Sequence, residues 1–144
     1  MKSLTLMKPL LLLLVAFSLS SCTDGIVTRN QLPAQASAFI DEHFPGQTIT
    51  YIERDGLSYE AHFNNGWEVD FTRQGEWIHV DCQRSAVPAS ILALLPQEIP
   101  AYVTTQFESL YITEIEKTVL GYEIGLNADL DLQFSLDGKF RRID

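Results

Sequence analysis

The chain has 144 residues and an ordinary apolar fraction, which suits one domain or two small ones sharing a core. Its formal charge of −9 becomes −11 when Lys2 and Lys8 are removed with a leader, and this excess of acid argues against nucleic acid and against charge-driven binding to an anionic membrane. Two cysteines, Cys22 and Cys82, are too few for a disulfide-built scaffold, so the domain must fold by core burial.

Lys2 and Lys8 precede the apolar run from Pro9 to Phe17, which gives way to small residues. This is the pattern of a secretory signal, with a positive n-region and an h-region too short to span a bilayer. Leu19-Ser20-Ser21-Cys22 resembles the bacterial lipobox, which implies that residues 1–21 are removed and that the Cys22 thiol takes a diacylglycerol anchor. Several acyl chains would hold such a protein stably at the bilayer surface. Thr23 offers no inner-membrane retention signal, so the expected location is the outer membrane, with the domain in the periplasm or at the cell surface. Acylation of Cys22 leaves Cys82 unpaired, and its place just after a predicted strand predicts a semi-exposed end residue.

Residues 22–31 read as a short polar tether. Leu32-Pro33 opens a helix, with proline in the first turn where its missing N–H costs nothing, and Pro45-Gly46 ends it. From Ile49 the hydrophobic period changes to two. Leu57, Tyr59, Ala61 and Phe63 alternate with polar residues, as do Trp67, Val69 and Phe71, which predicts half-buried antiparallel strands. A two-residue turn is expected at Asp55-Gly56, and three-residue loops with glycine third at Asn64-Asn65-Gly66 and Arg73-Gln74-Gly75. In that register Asp70 falls opposite Ile78.

Prolines 88, 96 and 100 divide the next stretch into a short helix over 87–95 and a second helix through Val103 and Phe107. Strands follow at about 112–117, 120–126, 130–135 and 139–143, with Leu136-Asp137-Gly138 as another three-residue loop. Residues 49–81 lie on 112–144 without a gap, and about a third of the paired positions are identical. One structural unit is therefore used twice, neither copy having enough core to stand alone. The expected fold is α+β: two tandem pseudo-repeats, 32–84 and 85–144, each a helix or helix-break-helix plus a four-stranded antiparallel meander, joined in one domain.

Val87-Pro88 with its helix break, the Ile-Thr-Glu-Ile-Glu-Lys run at 112–117, Gly121-Tyr122-Glu123, and Phe-Ser-Leu-Asp-Gly-Lys at 134–139 together resemble the bacterial PepSY-like domains grouped with the β-lactamase inhibitory protein. The resemblance implies a curved sheet of about eight strands with helices on one face. In the inhibitory protein the concave surface grips an enzyme. This chain lacks that inhibitor's paired cysteines and has no match to its contact loops, so the specific target does not transfer.

The aromatic residues Tyr59, Phe63, Trp67, Phe71 and Trp77, with Tyr122, Leu126, Leu130, Leu132, Phe134 and Phe140, are expected to form the layer under the helices. The opposite face carries Glu60 across from Asp70 and His62 across from Glu68, with Ile78 and Val80 beside them; in the second unit it carries Glu123, with Asp131 next to Ile143. An acidic face with a small apolar stripe suits a basic protein or peptide partner, bound without catalysis as inhibitor or sensor. A small apolar ligand carried between sheet and helices is the alternative, and a hydrolase using Glu60 and Asp70 as paired carboxylates is a third. No metal or cofactor is expected. His62 with Glu68 is half a site, with His43 assigned to the helix and His79 to the other face. Asn127, Asp129 and Asp131 alternate as in a calcium loop but lack its turn glycine and closing glutamate.

Overall fold

The computed structural model describes residues 24–144. Cys22 and the signal segment lie outside the described residues. Nine strands form one antiparallel sheet in simple sequence order. They are β1 (Gly25–Val27), β2 (Ile49–Asp55), β3 (Ser58–Phe63), β4 (Glu68–Thr72), β5 (Trp77–Asp81), β6 (Ile112–Thr118), β7 (Gly121–Leu126), β8 (Leu130–Ser135) and β9 (Phe140–Ile143). The helices are α1 (Ala34–His43), α2 (Ala89–Leu92) and α3 (Glu98–Gln106). β5 pairs with β6, so the two meanders continue as one sheet across the junction between units. Among the described residues no helix is long and apolar enough to cross a membrane.

All three helices pack on one face. Ala36 and Ile40 from α1, Ile91 from α2, and Ile99 and Val103 from α3 join Phe71, Val80, Ile115, Ile124, Leu132 and Phe134 in a single buried cluster. Phe39 stacks on Trp77 with ring centroids 5.6 Å apart, Phe44 stacks on Phe63 at 5.0 Å, and Tyr102 stacks on Phe140 at 4.5 Å. These rings pack in the layer in which a ligand carrier would need its cavity, and a pocket of about 300 Å³ opens beside Phe39 and Trp77. The predicted aromatic layer is thus in place. The repeat also shows in a detail of packing: a Cβ at Gly75 would stand 2.7 Å from Pro33, and one at Gly138 would stand 2.8 Å from Pro96. Both glycines have positive φ, so in each unit the same hairpin tip turns in against the start of a helix.

Three expectations need correction. Residues 22–31 are not all tether, because Gly25–Val27 pairs with β2 as an edge strand and Arg29–Gln31 forms a 3-10 turn. The first hairpin turns one residue later than expected, with Asp55 opposite Ser58, so Leu57 sits exposed at the tip instead of in the core alternation. Cys82 is fully buried, and burial pushes its thiol up to about 12.

Candidate functional site: the open acidic face of the sheet

Cross-strand pairing aligns the side chains opposite the helices into two rows. One runs Glu53, Glu60, Asp70, His79, Glu116, Glu123, Gln133 and Arg142, each residue directly opposite the next. The other runs Tyr51, His62, Glu68, Asp81, Glu114, Gly125 and Asp131. Five neighbouring pairs are acid against acid: Glu53 with Glu60, Glu60 with Asp70, Glu68 with Asp81, Asp81 with Glu114, and Glu116 with Glu123. Like charges directly opposite each other destabilise a sheet, so the fold does not gain from this arrangement.

Among the described residues, the ion pairs that involve lysine or arginine are Arg29–Asp41, Lys139–Asp137 and Arg142–Asp144, and none reaches a carboxylate of the two rows. The rows find a cation in His79. His79 lies with Nδ1 3.2 Å from Asp70 Oδ2 and Nε2 2.8 Å from Glu114 Oε1. Burial alone would lower its pKa, but the hydrogen bonds and charges of Asp70 and Glu114 prevail and push it up to about 10. In return, the hydrogen bond from His79 holds Glu114 below its ordinary value against the opposing effect of burial. His62 stacks on Tyr51 at 4.2 Å, with Nδ1 3.1 Å from Glu68.

The remaining acids crowd one another. Glu60 is raised by burial, then by Asp70 and Glu53; Glu68 is raised by burial, then by Asp70; Glu123 is raised by burial, then by Glu116 and Asp131. Burial comes first in each shift, and the neighbouring like charges add to it, while His62 partly offsets it at Glu60 and Glu68. Two groups bring one donor atom per residue within 4.8 Å of each other: Glu53, Glu60 and His62, and Glu68, Asp70 and His79. In the second group both ring nitrogens of His79 are engaged by carboxylates, Asp70 and Glu114.

At the junction of the units the face opens into a cleft of about 720 Å³ lined by Asp81, Arg84, Glu114, Gly125, Asp129 and Asp131 among others. Gly125 makes this room. A Cβ there would come 3.0 Å from Glu114 Cβ and 3.4 Å from Asp131 Oδ1. In the first unit the equivalent position is His62, whose ring stacks on Tyr51. Asn127 and Asp129, on the tight turn between β7 and β8, and Asp131, within β8, all line the cleft, in a hairpin and not in a helix-loop-helix.

Of the residues that sequence assigned to this face, Glu60, His62, Glu68, Asp70, Ile78, Glu123 and Asp131 are on it, but Val80 and Ile143 are not. A bulge at Ile78 makes Asp70 pair with His79 and Phe71 with Trp77, which turns Val80 into the core and His79 out onto the face. The same bulge recurs at Arg141, so Ile143 pairs with Leu132 on the helix side and Asp144, not Ile143, lies beside Asp131. The apolar stripe shrinks to Ile78, in a depression beside Asp70, His79, Glu114 and Glu116. Sequence reasoning missed Tyr51, Glu53, His79, Asp81, Glu114 and Glu116. The repeat held a signal for some of them, since Glu53 and Glu60 superpose on Glu116 and Glu123.

No curated protein matches this sequence. Three solved structures are similar over nearly their whole length. One, from Bacteroides vulgatus and described as a "putative periplasmic protein from DUF2874 family", is 31% identical, with a TM-score of 0.77 over 84% of this chain and 96% of its own. A second from the same organism, a "putative periplasmic protein of unknown function", is 29% identical, with a TM-score of 0.78 over 85% and 99%. The third, from Bacteroides thetaiotaomicron, is described as a "putative calcium-regulated periplasmic protein" and is 34% identical, with a TM-score of 0.76 over 84% and 96%. A family model described as "Putative beta-lactamase-inhibitor-like, PepSY-like" matches residues 18–69 and again 57–142, so that the duplication, the sheet and the sequence all lead to one assignment: the chain belongs to the PepSY-like family.

Proposed function

We propose that this protein is a non-catalytic module of the cell envelope, lipid-anchored through Cys22, that binds a basic segment of another envelope or secreted protein on its open acidic face. The observation that carries this reading is the pair of carboxylate rows. Five acid-on-acid contacts weaken the sheet, and no lysine or arginine side chain pairs with them among the described residues. A partner's cations would supply the missing counterions, steer the encounter, and select against acidic competitors. The periplasmic description of the similar structures supports the envelope location. Titrating the domain with a Lys/Arg-rich peptide should shift the backbone amide resonances of β3 to β8, more weakly as salt rises. Shifts confined to the helices, or equal shifts with a Glu-rich peptide, would contradict the reading.

The cleft over Gly125 favours a second reading, in which a divalent cation sits there. Its Asp81, Glu114, Asp129 and Asp131 carboxylates are hard oxygen donors of the kind calcium takes, and one similar structure is described as calcium-regulated. Calorimetric titration with calcium separates the two readings: saturable binding abolished by Asp129→Asn with Asp131→Asn supports the ion, and absence of heat rejects it.

A further inference from the structure

The sheet has two unlike ends. At one end lie the β2–β3, β4–β5, β6–β7 and β8–β9 turns, and the first three residues of β1 place the start of the described chain at this end too, because Gly25 pairs with Arg54 near the top of β2. Three of these four turns are capped by exposed apolar side chains, Leu57 at 83% exposed, Val119 at 91%, Leu120 at 68% and Leu136 at 62%, and the β4–β5 turn carries Arg73 and Gln74 instead. Leu57 and Leu120 occupy equivalent positions in the two units. At the opposite end the turns carry Asn64, Asn65, Asn127 and Asp129 instead.

Asp24 connects the apolar end to the anchor. Its Oδ1 accepts a hydrogen bond of 2.8 Å from the backbone N–H of Gly56, next to Leu57. Cys22 is two residues earlier, and two residues of extended chain span about 7 Å at most. An acyl group on Cys22 therefore brings the Leu57 tip to the bilayer with no slack to turn the domain over. The same end carries Arg54, Arg73, Lys117, Lys139 and Arg141, five of the eight lysines and arginines that follow the leader, together with Asp55, Glu76 and Asp137; of the five, Lys117 is turned in over the Trp77 ring. It is electrically mixed, unlike the acidic face, and long basic side chains around apolar tips suit the headgroup region of a membrane.

We infer that the Leu57 and Val119-Leu120 hairpin tips rest in the lipid surface beside the anchored Cys22, so that the sheet stands upright and the acidic face looks sideways along the membrane. This rests on Cys22 being acylated and is independent of what the acidic face binds. The docking is hydrophobic and local: two or three leucine-sized side chains alone bind a membrane weakly, but tethering makes their contact effectively intramolecular.

The test uses the full-length chain, purified from membranes and reconstituted in vesicles of phosphatidylethanolamine and phosphatidylglycerol. Nitroxide labels are placed through Leu57→Cys, Leu120→Cys or, at the opposite end, Asn65→Cys; the buried Cys82 stays unlabelled in the native fold. Lipid contact predicts that labels at 57 and 120 become several-fold less accessible to an aqueous nickel chelate and more accessible to oxygen than the label at 65. Nickel accessibility equal at all three sites overturns the inference while leaving the lipoprotein reading standing. Exclusion of both nickel and oxygen at 120 also overturns it, since that is burial against protein. An unmodified Cys22 by mass spectrometry removes the premise, and the inference falls with the anchor.

Discussion

His79 and Glu114 meet across the junction of the two units, Nε2 to Oε1 at 2.8 Å, and the imidazolium is shared with Asp70 on the neighbouring strand. One charged hydrogen-bonded group thus ties β4, β5 and β6 together at the middle of a face that otherwise repels itself.

Removing His79 leaves Asp70 and Glu114 uncompensated in partly buried positions. His79→Gln should destabilise the domain by about 1–3 kcal/mol at pH 7, read as a lower urea midpoint with unchanged slope. The histidine's contribution is fully present below its ordinary pKa of 6.5 and is lost as pH rises through about 10, because its folded pKa is the higher one. Stability of the natural protein should therefore fall between those pH values more steeply than that of the variant. Parallel pH curves for the two would contradict the pairing.

Neutralising one acid of a like-charged pair should help the fold and harm the function. Glu60→Gln, flanked by Glu53 and Asp70, and Glu123→Gln, opposite Glu116, should each raise stability by about 0.2–1 kcal/mol, while weakening binding of a Lys/Arg-rich peptide. Urea unfolding and calorimetry on the same variants check both halves.

Acid should weaken that binding before it unfolds the domain. The pKa values of Glu60, Glu68 and Glu123 are raised, so these groups take up protons at a higher pH than ordinary glutamates. Affinity for the peptide should drop as pH falls toward the range where these raised glutamates take up protons, and proton release should accompany binding there, measurable as a buffer-dependent heat.

Gly75→Ala and Gly138→Ala should each destabilise by more than the usual gain from replacing a loop glycine, about 0.4–1 kcal/mol, because φ is positive at both sites and the added carbon meets Pro33 or Pro96. Thermal unfolding of the two variants checks the equivalence of the units.

Most of the fold was legible because it depends on periodicity and turns. The alternation of Tyr59, Ala61 and Phe63 set the buried face of β3, and glycine at 66, 75 and 138 set the loops. Where the reading slipped, the cause was one extra residue. Strand phase propagates from a turn only while pairing stays regular, and the bulge at Ile78 inverts every side chain after it. The residues themselves held a clue, since Trp77, Ile78 and Val80 cannot all share one side of a regular strand. No such clue marked Gly25–Val27: three residues of edge strand carry too little pattern to stand out from a tether. His79 was lost with the phase, and with it the ion pair at the centre of the face.

The most direct test of a protein-binding acidic face is photocrosslinking in intact cells, with the reactive residue at Glu116 in the middle of the face and, as control, at exposed Gln35 on α1. The account predicts a discrete adduct at 116 and none at 35, with the captured segment rich in lysine or arginine. An adduct at 35 alone, a captured segment that is acidic, or no adduct at either position would contradict it.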